Sequence, residues 1–178
     1  MRSNVLVLAA LLALIPTASV MAQKVTKETV AGVTNFTRLE TTVACAGATK
    51  AEAVPELKKM GFASIINLRQ ASEPDANVDA EAAAAKAAGI RFYHVPFNGQ
   101  MPDPKAADQF LDAITAKGSE PAFIHCAGGN RAAAMWMIKR MAVDHWDAER
   151  AASEATALGL TSPALKQFAI DYSQSHKR

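Results

Sequence analysis

Short β-forming runs alternate with helical runs along this chain, and that alternation leaves few folds open. Phe62 to Leu68 reads as a buried strand, Asp79 to Ala88 as an alanine-rich helix closed by Gly89, and Ile90 to Phe97 as another strand. Strand, helix, strand in that order needs a crossover, and a helix laid back over the sheet supplies it. The pattern continues. Asp103 caps and Pro104 opens a helix with Ala107, Phe110, Leu111 and Ile114 at helical spacing, and Gly118 marks its end. Pro121 to His125 is a short apolar strand, and Ala132 to Met141 is a helix apolar nearly all round, which belongs in an interior.

Upstream, Gln23 to Asn35 is a polar lead-in and Thr37 to Cys45 a first strand. Thr49 and Glu52 form a capping-box pair before a helix ending at Gly61, with Pro55 leaving its start open. Downstream, Asp147 to Leu158 and Pro163 to Ser173 predict two closing helices, the last capped by Ser162. Together these predict an α/β domain with a mostly parallel sheet of four to five strands flanked by helices.

The first residues predict export. Arg2 precedes an apolar run from Val5 to Ile15, and Val20-Met21-Ala22 offers a cleavage site after Ala22. The run is short for a membrane span, so residues 1–22 are expected to be a signal peptide and residues 23–178 one domain, periplasmic or secreted, with no membrane anchor after cleavage. Removing Arg2 takes the formal charge from +2 to +1, with 18 basic against 17 acidic residues left, which does not suit a nucleic-acid partner. The cysteines are Cys45 and Cys126, and spacing alone leaves a disulfide between them open.

The chemistry is concentrated in His125-Cys126-Ala127-Gly128-Gly129-Asn130-Arg131, between a buried strand and a buried helix. Backbone amides at a helix start favour an anion. Gly128 and Gly129 let the chain curl so that the amides of Ala127 to Asn130 converge, and Arg131 adds a planar cation for two oxygens of a tetrahedral oxyanion. The same field favours a thiolate at Cys126, making it a nucleophile. His94, His125, His145 and His176 lack metal-site spacing, no cofactor is implied, and Met135, Trp136, Met137 and Met141 read as core. Asn35-Phe36-Thr37 fits a glycosylation acceptor, a pattern too short to carry weight.

These residues, with Gly61-Phe62, Ile66-Asn67-Leu68-Arg69, Glu73, Gly89-Ile90, His94-Val95-Pro96, Glu154-Ala155 and Gly159-Leu160, resemble the dual-specificity and tyrosine phosphatase-like group. Within it they resemble the bacterial phosphatase-like domain of beta-lactamase hydrolase-like proteins. The resemblance spans most of the chain after residue 22. It implies a cysteine-phosphatase-like fold and hydrolysis of a phosphorylated protein or small molecule through a phosphocysteine. Cys126 would be the nucleophile, residues 127–131 the phosphate cradle and Arg131 the oxyanion clamp; His125 would orient the loop and tune the thiol, or simply be a core residue.

Two departures follow. Phosphatase loops of the general type hold five residues between cysteine and arginine, and this chain holds four, a length also found in rhodanese-type sulfurtransferases. An oxyanion cradle does not choose between phosphate and thiosulfate, and a non-catalytic oxyanion- or partner-binding domain is a third reading. The expected general acid is also absent from its usual place. Asp103, which equally serves as a helix cap, and Glu73 are the candidates.

Overall fold

A computed structural model describes residues 24–176; the expected signal peptide lies outside the described residues. The strands are β1 (Val25–Lys27), β2 (Thr37–Leu39), β3 (Val43–Ala46), β4 (Ser64–Asn67), β5 (Arg91–His94) and β6 (Ala122–His125). The helices are α1 (Val54–Lys59), α2 (Val78–Ala88), α3 (Pro104–Thr115), α4 (Asn130–Ala142), α5 (Ala148–Ala157) and α6 (Pro163–Ser175).

They form one six-stranded sheet in the order β1-β2-β3-β6-β4-β5. The four strands β3, β6, β4 and β5 are parallel, and β1 and β2 add an antiparallel edge. The α/β class and mostly parallel sheet match expectation; the strand count exceeds it by one or two. The excess comes from the first third of the chain. Val25–Lys27, read as polar lead-in, pairs with β2, and the run from Thr37 to Cys45 is a hairpin rather than one strand. Its turn, Glu40-Thr41-Thr42, has Glu40 at φ 43° yet carries no glycine, asparagine or proline to announce it. The Thr49–Glu52 capping box does not form either. Thr49 Oγ1 donates to the Gly47 carbonyl, and α1 is entered through a 3-10 turn, Ala51–Ala53.

Alternation along β6 assigns the two faces. Ala122, Ile124 and Cys126 belong to the larger core, with α3, α4, α5 and α6, and Phe123 belongs to the smaller one, with Val54, Leu57 and Ala85. The centre of α4 is buried as expected, Met135, Trp136 and Met137 included. Arg140, near its end, lies 4.6 Å from the Trp136 ring and 4.2 Å from the Trp146 ring, and bonds Glu154 at 2.7 Å. Trp136 Nε1 donates to the same Glu154 at 2.7 Å.

In a parallel sheet every carboxyl end lies at one edge, where sites gather. Here that edge brings together the loops after β3, β4, β5 and β6, with β6 between β3 and β4.

Candidate active site

The loop after β6 is built as its sequence suggests. Gly129, the N-cap of α4, has φ 103° and ψ −27°, a conformation that a side chain resists, and its N–H donates to Cys126 Sγ at 3.1 Å. Gly128 is different: its φ is not positive and a Cβ there would meet nothing within 4 Å. Only one of the two glycines is therefore required by backbone conformation. As the first residues of α4, Asn130, Arg131 and Ala132 have N–H groups with no intrahelical carbonyl, and these face any anion at the helix start. The Asn130 side chain is spent elsewhere. Its Oδ1 accepts from Thr161 N at 2.7 Å and Ser162 N at 2.9 Å, pinning the loop to the connection before α6.

Cys126 is 1 % exposed, while Ala127 and Gly128 beside it are exposed. Cys45 is also buried, and both cysteines are free. Cys45 lies opposite Ile124 in register, two residues before Cys126 on the same face. Sheet geometry then separates the two Cα atoms by roughly 8 Å, beyond disulfide reach. Burial first, then the charges of Cys126 and Glu154, push the Cys45 thiol well above its ordinary value. It has no nucleophilic role at neutral pH.

Arg131 is held on three sides. Nη1 donates to Glu73 Oε1 at 2.6 Å, Phe97 O at 2.8 Å and Leu68 O at 3.1 Å, and Nη2 donates to Glu73 Oε2 at 2.8 Å. Burial alone would weaken its charge, but the Glu73 bond and the adjacent Cys126 sulfur raise its pKa. Glu73 is the mirror case. Burial would raise its pKa, yet Arg131, the Gln70 amide and Arg69 hold it down at about 2. Glu73 is thus ionised at neutral pH and spent on the guanidinium, which does not suit the general acid that the sequence offered as an option.

Asp103 is exposed and caps α3, accepting from Lys105 N at 2.9 Å. Its loop starts at Phe97 and passes over Arg131, where a Cβ on Gly99 would sit 3.3 Å from Arg131 Cγ. His125 is fully buried and faces away from Cys126. Its Nε2 lies 3.0 and 3.1 Å from the two oxygens of Glu81, which is 1 % exposed on α2. Asn67 Nδ2 donates to the same carboxylate at 2.7 Å. Sequence reasoning missed Glu81 and Gly47. Glu81 falls in an alanine run that reads as plain helix. Gly47 follows β3, and a Cβ there would meet Ala127 O at 2.9 Å and the Thr34 hydroxyl closer still. Ala48 N donates to Ala127 O at 2.9 Å, so the segment after β3 and the loop after β6 touch backbone to backbone.

A profile of the family described as "Beta-lactamase hydrolase-like protein, phosphatase-like domain" matches residues 35–143, more than half of the chain. The chain belongs to this family. Family membership covers β2 to α4 and so includes the whole of the loop from His125 to Arg131. Among solved structures, a DUF442 protein from Shewanella putrefaciens CN-32 aligns over 84 % of this chain and 97 % of its own, with 20 % identity and a TM-score of 0.70. A cysteine-to-serine variant of P. aeruginosa TpbA in complex with pTyr aligns over 80 % and 82 %, with 18 % identity and a TM-score of 0.55. The core catalytic domain of the PP-IP phosphatase SIW14 from S. cerevisiae, in complex with citrate, aligns over 72 % and 78 %, with 19 % identity and a TM-score of 0.58. These likenesses establish a cysteine-phosphatase-like fold. A search of curated protein sequences returns no match.

Proposed function

We propose that this family member is a phosphomonoester hydrolase that works through a cysteinyl-phosphate on Cys126, exported if residues 1–22 act as a signal peptide. The observation that carries the proposal is the pairing of a Gly129 amide 3.1 Å from Cys126 Sγ with an Arg131 guanidinium fixed at the other end of the same loop. A phosphoryl group entering the loop meets the first amides of α4 and the guanidinium, which neutralise its oxygens in ground and transition state. The sulfur attacks phosphorus, the ester oxygen leaves with a proton, and water then cleaves the P–S bond to release phosphate and restore the thiolate.

Ionised Glu73 does not supply that proton; its part is to hold Arg131 in the orientation that a bidentate phosphate contact needs. Asp103 is the acid we assign, on the loop that crosses Arg131 at Gly99. The TpbA neighbour was solved with pTyr and the SIW14 domain is described as a PP-IP phosphatase, so phosphorylated protein and phosphorylated small molecules are both reasonable substrate classes for this chain.

The test is phosphate release from an aryl phosphate by the purified mature protein, with thiosulfate-to-cyanide sulfur transfer assayed alongside. Wild type should release phosphate and Cys126→Ser should not, with an unchanged circular dichroism spectrum. Because Cys126 is only 1 % exposed, iodoacetamide labelling provides a second check. A sulfur that no reagent reaches, a fully active serine variant, or thiocyanate formation without phosphate release overturns the proposal.

A further inference from the structure

His125, just before the nucleophile, and Arg131, which closes the loop, are connected by one chain of contacts through the segment between β4 and α2. His125 Nε2 meets the Glu81 carboxylate at 3.0 and 3.1 Å, and Asn67 Nδ2 donates to that carboxylate at 2.7 Å. Asn67 Oδ1 accepts the Arg69 N–H at 2.7 Å, which fixes the orientation of the amide. Arg69 Nε donates to Glu73 Oε2 at 3.3 Å, and Glu73 holds Arg131 at 2.6 and 2.8 Å. The strap thus begins and ends on the two residues that bracket the sulfur.

We infer that Glu81 is a positioning residue for Cys126, its buried carboxylate holding the His125 imidazole and, through it, the nucleophile end of the loop. The inference rests on the phosphatase-type reading of that loop. A carboxylate that is 1 % exposed is costly to bury unless paired. Facing it are the Asn67 amide from β4 and the His125 ring from β6; no other ion pair to Glu81 or His125 occurs among the described residues. Phe123, stacked on the His125 ring at 5.6 Å, and the smaller core it belongs to are apolar. The imidazole, held through Nε2 on the face of β6 opposite Cys126, fixes the backbone of the residue before the nucleophile, and that backbone sets where Sγ meets the Gly129 N–H. A glutamine keeps the volume and one acceptor but sets an NH2 group against two donors, the His125 Nε2–H and the Asn67 amide, and so loosens the His125 end of the loop.

The experiment uses the mature protein with Glu81→Gln, and Cys126→Ser as the alkylation blank. Iodoacetamide labelling of Cys126 is followed against pH, together with kcat and KM for an aryl phosphate. The labelling profile should move about one unit to higher pH, making labelling near neutral pH about tenfold slower, with a similar fall in kcat and little change in KM. A merely structural Glu81 lowers the folded fraction and the amplitude without moving the profile; that result overturns the inference. In a His125→Asn background, Glu81→Gln should have no further effect, and an additive loss overturns it too. If Glu81→Gln does not fold, Glu81→Asp is measured: a smaller shift in the same direction supports the inference and a wild-type profile refutes it. A shifted profile in a protein that never releases phosphate sinks the phosphatase reading alone, while an active wild type with an unmoved Glu81→Gln profile sinks this inference alone.

Discussion

Alanine at Gly129 and alanine at Gly128 should behave very differently, although the two residues are adjacent and read alike in the sequence. Gly129 has φ 103° and ψ −27°, whereas Gly128 has no positive φ and open space where a Cβ would go. Crowding is no obstacle at Gly129 either, since the nearest heavy atom to a new Cβ is 3.8 Å away. The cost at Gly129 is therefore purely one of backbone conformation, about 2 kcal/mol for a non-glycine residue held outside the usual regions. The chain can avoid that cost by flattening the turn, but only by withdrawing the Gly129 N–H from Cys126 Sγ. Gly129→Ala should accordingly lose about 2 kcal/mol in urea denaturation, or keep most of its stability and show markedly slower iodoacetamide labelling of Cys126. Gly128→Ala should lie within about 0.5 kcal/mol of wild type and label at the same rate. Equal effects at the two positions, or a Gly129→Ala protein unchanged in both assays, would refute this account of the loop.

Three further outcomes follow from the same geometry. Glu73→Gln should lower kcat/KM for an aryl phosphate by roughly tenfold or more, because Arg131 loses a bidentate partner, and should cost about 1–2 kcal/mol at neutral pH after solvent screening. The Glu73 carboxyl titrates at about 2 in the folded protein against an ordinary 4.5, so its stabilisation is complete above about pH 4.5 and is lost as pH falls through 2; the gap between wild type and variant in denaturation should close over that window. Gly47→Ala should destabilise by about 1–3 kcal/mol, read as a lower Tm, because its Cβ would press on the Thr34 hydroxyl and on the Ala127 carbonyl of the loop. Asp103→Asn should leave Tm nearly unchanged, since asparagine caps a helix as well as aspartate does, while activity on a poor leaving group falls at least tenfold; undiminished turnover removes Asp103 from the mechanism.

Where local chemistry decides structure, the sequence could be read closely. Gly89 closes α2 at φ 63°, Asp103, Asp147 and Ser162 cap their helices with their own side chains, and the apolar helix after the loop is buried. The hairpin at Glu40 was hidden because a residue without turn preference takes a positive φ only when strand pairing on both sides demands it. The site divides in the same way. Cys126, Gly129 and Arg131 lie within one six-residue stretch, so their meeting in one loop could be read in advance. Glu81 lies 44 residues from its partner His125 and Glu73 lies 58 from Arg131, and contacts that long depend on the sheet order, which no local pattern encodes. Glu73 stood out as one of two candidate acids, but whether it would donate a proton or hold a cation turned on the guanidinium it met.

Both tryptophans of the chain lie at one place, Trp136 and Trp146 flanking the Arg140 guanidinium where α4 gives way to α5. Intrinsic fluorescence is thus first of all a gauge of that junction. An emission trace that reports an intact junction says little by itself about the geometry around Cys126, so loop variants are better followed with a dye or a labelled sulfur.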